Sequence, residues 1–152
     1  MGFGTLSLKG RALRLLSQRE HSRAELVTKL ARHVQEGDDL AAVLDDLEAK
    51  DFINETRVVE SVVHRRASRL GASRIRQELQ AKGLPAEAVQ HAMDQLKDTE
   101  LDRAREVWLR KFGAVAEDAQ ARARQVRFLM TRGFSGEVVH RVVRGGGEPE
   151  DR

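Results

Sequence analysis

The chain has 152 residues, room for one globular unit or a row of small ones, and with only 4% aromatic residues any core must be built from Leu, Val and Ala. The absence of cysteine excludes disulfides, thiolate metal sites and cysteine nucleophiles, and no apolar run approaches the roughly 18 residues that span a bilayer. Charged residues reach 34% yet net to only +3, so the surface is dense in charge and nearly balanced; this suits an elongated chain but does not by itself establish nucleic-acid binding.

Helical stripes then follow one another along the chain. Leu8, Ala12, Leu15 and Leu16 form the first. Ser22 with Glu25 is a capping box that opens a second helix carrying Leu26 and Leu30. Asp39 is placed to cap a third, with Leu40, Val43, Leu44 and Leu47 on its apolar face. Asn54 opens a fourth that carries Val58, Val59, Val62 and Val63; Gly71 should stop it, and Ser73 should cap a fifth with Ile75 and Leu79. Gly83 is a second stop, and Pro85 opens a sixth helix with Val89, Ala92, Met93 and Leu96. Thr99 with Asp102 is a weaker capping box for a seventh, with Ala104, Val107 and Trp108. Gly113 ends it; Val126, Leu129 and Met130 mark an eighth, ended by Gly133. Ser135 caps a ninth with Val138, Val139, Val142 and Val143. No segment alternates with period two for long, so no sheet is expected.

These helices group in threes. Lys82-Gly83-Leu84-Pro85-Ala86-Glu87-Ala88-Val89 parallels Arg132-Gly133-Phe134-Ser135-Gly136-Glu137-Val138-Val139, an offset of 50 that also lays Arg74 on Arg124. The expected fold is all-α: an elongated array of three tandem three-helix repeats, about nine helices in all, over residues 1–53, 54–97 and 98–144. The polar, glycine-rich tail 145–152 is expected to be disordered. No signal peptide stands at the start, and Leu6 occupies the position where a myristoylation signal needs Ser or Thr, so a cytoplasmic protein is expected.

The candidate binding residues are arginines. Arg65, Arg66 and Arg69, then Arg74 and Arg76, run nearly free of acids until Glu78, with Lys82 close behind. A second set is Arg122, Arg124, Arg127 and Arg132. Guanidinium forks suit carboxylates and phosphates, and the repeat offset predicts a ladder of them along one side of the row. The charge per unit is −1 for 1–53, +3 for 54–97 and +1 for 98–152, which puts the emphasis on the middle unit.

The five histidines never fall four apart, and no His-Glu-x-x-His motif, Gly-rich phosphate loop or nucleophile motif is present. A non-enzyme without metal or cofactor is therefore expected. His21 should pack at the entry to the helix that Ser22 caps. Asp38-Asp39 and Asp45-Asp46 read as helix-start charges. Trp108 and Phe112 read as core rather than as a platform for bases.

Several of these segments together resemble the RecX family: Ala12-Leu13 with Leu16, Arg19-Glu20-His21-Ser22-Arg23 with Glu25-Leu26, Val43-Leu44 with Leu47, Phe52-Ile53-Asn54-Glu55 with Arg57, and Gly71, Arg74-Ile75, Glu78-Leu79, Lys82-Gly83-Leu84 and Arg132-Gly133-Phe134. The resemblance runs from residue 8 to 143. Departures are Asn54-Glu55 for an acidic pair, Arg57-Val58-Val59 for Arg-Phe-Ala, and Asp51 where a glycine is common. The resemblance implies an elongated row of three-helix repeats that binds RecA–DNA filaments; a monomer is expected. It also implies that such a protein damps strand exchange, ATP hydrolysis and repressor self-cleavage, and so regulates DNA repair and the SOS response. Two other readings stay open. A helix-turn-helix-like module could bind single- or double-stranded DNA, although no unit places Asn, Gln and Arg together on one recognition face. An adaptor could use its apolar ridges on another partner.

Overall fold

The computed structural model describes residues 6–145, so the expected tail lies outside the described residues from residue 146 onward. Those residues hold nine α-helices and no strand: α1 Leu8–Gln18, α2 Arg23–Leu30, α3 Leu40–Ala49, α4 Glu55–Arg66, α5 Ala72–Ala81, α6 Ala86–Lys97, α7 Glu100–Lys111, α8 Ala119–Thr131 and α9 Gly136–Gly145. A 3-10 turn, Ala31–His33, extends α2.

Most starts follow the local chemistry. Ser22 Oγ accepts from the Glu25 N–H at 3.1 Å while Glu25 Oε1 accepts from the Ser22 N–H at 3.1 Å, closing the capping box. Asp39 accepts from Ala42 N, Asn54 from Arg57 N, and Ser135 from Val138 N. Three expectations need correction. Thr99 makes no cap, because its hydroxyl donates back to the Leu96 carbonyl. Ser73 lies inside α5, whose N-cap is Gly71. Gly71 does not stop α4 in a left-handed turn; its φ is −79°, whereas Gly83, Gly113 and Gly133 do take positive φ.

Each set of three helices closes its own core. Leu26, Leu30, Leu44 and Leu47 centre the first; Val62, Ile75, Leu79 and Met93 the second; Trp108, Leu129, Val139 and Val142 the third. Full burial of such a side chain contributes roughly 1.5–3 kcal/mol. The principal helix–helix contacts all lie within one set, and the units meet at the connections and the helix residues beside them.

Those meetings repeat. At the first joint, the α1–α2 connection of unit one is held by unit two. Ser22 Oγ donates to the Lys82 carbonyl, Lys82 Nζ pairs with Glu25 at 3.2 Å, and Arg57 Nε pairs with Glu20 at 2.9 Å. At the second, the α4–α5 connection of unit two is held by unit three. Ser73 Oγ donates to the Gly133 carbonyl at 2.9 Å, and Gly71 N donates to the Arg132 carbonyl at 2.7 Å. Arg103 of α7 donates to the Ala67 and Leu70 carbonyls at 3.0 and 2.7 Å, and Glu100 accepts from Ala72 N at 3.1 Å. In both joints a serine at the start of a unit's second helix donates to a carbonyl in the turn before the next unit's last helix, so the second joint resembles the first. Three units linked this way make a row.

Glu25 gives the first joint a pH signature. Burial would raise its carboxyl pKa, but bonds from Arg19, the Ser22 N–H and Lys82 outweigh that and bring it from 4.5 to about 2. A depressed folded pKa means its stabilisation is complete above pH 4.5 and is lost as pH falls toward about 2. Urea midpoints measured across that window are expected to fall. Glu25→Gln is expected to be weaker at neutral pH and flatter across the same window; an equally steep fall in that variant would place the pH sensitivity elsewhere.

Candidate partner-binding surface

The second joint brings arginines together from both of its units. Arg66 ends α4, and the dipole there favours a cation. Arg69 lies on the connection, Arg74 and Glu78 project from α5, and Arg132 follows α8. With Leu70 and Gln77 these residues line one open cleft of about 440 Å³. Its charged lining is four guanidinium groups against one carboxylate. Glu78 is held by Arg66, whose NH2 is 3.1 Å from Oε1. Arg74 donates to the Thr131 carbonyl at 3.0 Å, and the Arg132 guanidinium sits 4.8 Å from the Phe128 ring centroid. Arg69 is exposed and makes no ion pair among the described residues. Such a cleft suits carboxylates or phosphates, which would relieve the crowding of like charge.

The other sequence candidates lie elsewhere. Arg65 is exposed on α4, bonded to the Ser61 carbonyl of its own helix. Arg76 faces the α6 side near Gln90. Lys82 is committed to the first joint, its side chain only 13% exposed. Arg122, Arg124 and Arg127 are exposed on α8 without an ion pair among the described residues, and Arg124 edges a separate cleft with Phe112 and Asp118. Arg74 and Arg124 keep their offset on α5 and α8, but the first is bonded across a joint and the second is open to solvent.

Sequence reasoning passes over Arg103, which shapes this region by gripping the end of α4. Burial lowers its pKa, and three carbonyls plus the Thr99 hydroxyl accept its protons. Arg103 and Arg110 lie seven apart on α7, and Arg110 likewise reaches the Ser68 carbonyl. That spacing on one helix face was the available signal. His21 packs as expected: it is 1% exposed, with Nδ1 3.0 Å from the Arg19 carbonyl and Nε2 3.1 Å from Lys29 Nζ. Trp108 is core, its Nε1 donating to Gln125 at 2.9 Å. Among the described residues, no three His, Asp or Glu side chains group as a metal site and no helix is long and apolar enough to cross a membrane.

Comparison with known proteins covers the same units in order. Residues 9–47 match the RecX first three-helix domain, 54–93 the second and 98–143 the third. The chain is 59% identical over 139 residues to the regulatory protein RecX of Leptothrix cholodnii, covering 91% of this chain and 88% of that one. It is 52% identical over 146 residues to that of Herminiimonas arsenicoxydans, covering 96% and 97%. The crystal structure of RecX from Lactobacillus salivarius superposes with a TM-score of 0.74 at 19% identity, over 91% of this chain and 93% of that one. A second crystal structure, of a regulatory protein RecX, gives 0.72 at 22% identity, over 91% and 71%. Shared sequence along nearly the whole length, and the same row of helical units, place this chain in the RecX family of regulatory proteins.

Proposed function

We propose that the protein binds a RecA–DNA filament along its helical groove and restrains the recombinase, its ATP hydrolysis and its coprotease activity. The supporting observation is the repeated joint. It strings three units into a row and leaves unpaired arginines at separate stations, Arg69 beside the second joint and Arg122, Arg124 and Arg127 on α8. Modest contacts spaced along one row raise one another's effective concentration, and a row can follow a helical track where a sphere cannot. The ATP is hydrolysed by RecA; this chain acts by occupying the filament as a monomer in the cytoplasm.

The test is RecA's DNA-dependent ATP hydrolysis and strand exchange with the protein titrated in. Inhibition is expected at or below equimolar protein. Charge reversal at Arg69 and Arg124 together is expected to raise the amount needed by about tenfold, as the loss of two solvent-exposed ion pairs implies, with helical content unchanged. RecA activity indifferent to the parent protein would end the proposal. Tight binding to DNA alone, falling steeply with salt, would favour the DNA-module reading instead.

A further inference from the structure

The first unit carries a basic surface that its charge count conceals. Most of its nine acids are engaged on other faces: Asp45 and Glu48 pair with Arg23, Asp46 with Lys9 and Lys50, Glu20 with Arg57, and Glu25 with Arg19 and Lys82. Four cations are gathered between α1 and α2. There Arg11, Arg14, Lys29 and Arg32 rim a groove of about 760 Å³, and no carboxylate lines it. None of the four pairs with an acid among the described residues. The floor is apolar, with Leu15 half-buried and Leu30 buried. His33 senses the excess: burial lowers its pKa, and the Arg11 and Arg32 charges lower it further.

We propose that this groove docks an acidic peptide segment that carries apolar side chains at intervals. Four cations around an apolar floor ask for carboxylates at the rim and hydrocarbon in the middle. The volume lies within the roughly 300–1,000 Å³ of ordinary ligand clefts. Nucleic acid fits less well, because no Phe, Tyr or Trp lines the groove and His33 is its one ring for a base to stack on. A bilayer fits less well too, because the groove's exposed large apolar side chain is Leu6 alone, too little hydrocarbon to insert. The occupant this chemistry selects is a segment of another protein, acidic and with apolar side chains at intervals. This inference does not depend on the filament reading.

The experiment is fluorescence anisotropy on the full chain, without RecA, using a labelled synthetic peptide of Glu residues with Leu at helical spacing. Controls are the same peptide with Leu changed to Ser, the same peptide with Glu changed to Gln, and an oligothymidylate of similar length. The Glu–Leu peptide is expected to bind at least about tenfold tighter than either peptide control, the loss expected from a few charged contacts or buried side chains. Arg14→Glu with Arg32→Glu is expected to weaken it by a similar factor, whereas Lys97→Glu, on the exposed side of α6, leaves it unchanged. Both groove arginines are exposed, and Arg14→Ala with Arg32→Ala serves as a milder pair if circular dichroism shows lost helix. Equal binding of the Ser peptide, or indifference to both arginine pairs, would overturn the proposal. So would tighter binding of the oligothymidylate that the same substitutions remove.

Discussion

Alanine in place of Gly71 is expected to cost about 3 kcal/mol and to part the second joint, near the upper end of overpacking penalties because the obstruction is main chain. A Cβ there would lie 2.3 Å from the Gly133 carbonyl carbon and oxygen and from Phe134 N. No side chain can swing aside to make room. Yielding means moving the turn that receives the bonds from Gly71 N and Ser73. Gly113→Ala is the control. Its φ of 71° carries the ordinary left-handed strain, but the nearest atom to its Cβ is 3.4 Å away, so a loss of only about 1 kcal/mol is expected. Urea unfolding of both variants, followed by far-ultraviolet circular dichroism and by fluorescence of the single tryptophan in unit three, separates the two outcomes. The Gly71 variant should show the two probes parting as unit three uncouples. Coincident curves with a parental midpoint would disprove the joint as described.

Trp108→Ala is expected to cost about 4 kcal/mol, within the range for deleting a buried aromatic side chain. Trp108 is 1% exposed in a core otherwise made of smaller aliphatic side chains with Phe134. Its removal leaves a cavity and strips the Nε1 donor from Gln125, itself 5% exposed. Gln125 Nε2 keeps the Ala114 carbonyl, but Oε1 is left buried without a partner. Trp108→Phe should recover part of the packing loss and none of the hydrogen bond. Denaturation followed at a helical wavelength reads both; a loss below 1 kcal/mol for the alanine variant would mean that this core is not closed around the indole.

The helices were legible because their causes are local. Stripes such as Val58–Val62 and Leu44–Leu47 state a period by themselves, and Asp39 and Asn54 cap within three residues of their own position. Gly71 and Ser73 were misread for the opposite reason. Locally they resemble a stop and a cap, and only the turn 60 residues further on shows that they are a close approach and a donor. The same distance divides the candidate site. Arg66 and Arg69 share one short stretch of sequence, so their proximity could be read; that Arg132 would complete their cleft, and that Lys82 would be consumed elsewhere, follows only from the joints. Net charge by unit fails where folding sorts the signs, as the groove of unit one demonstrates: a segment of net −1 presents a rim with four cations and no carboxylate.

The first connection of units one and two is completed by groups that the chain supplies later. Ala72 waits 28 residues for Glu100, Ala67 waits 36 for Arg103, and Ser73 waits 60 for Gly133. A growing polypeptide emerges amino end first, so the end of α4 and the start of α5 are met by water until their later partners are made. The protein partners of the middle bundle's helix ends arrive only with the unit synthesised after it.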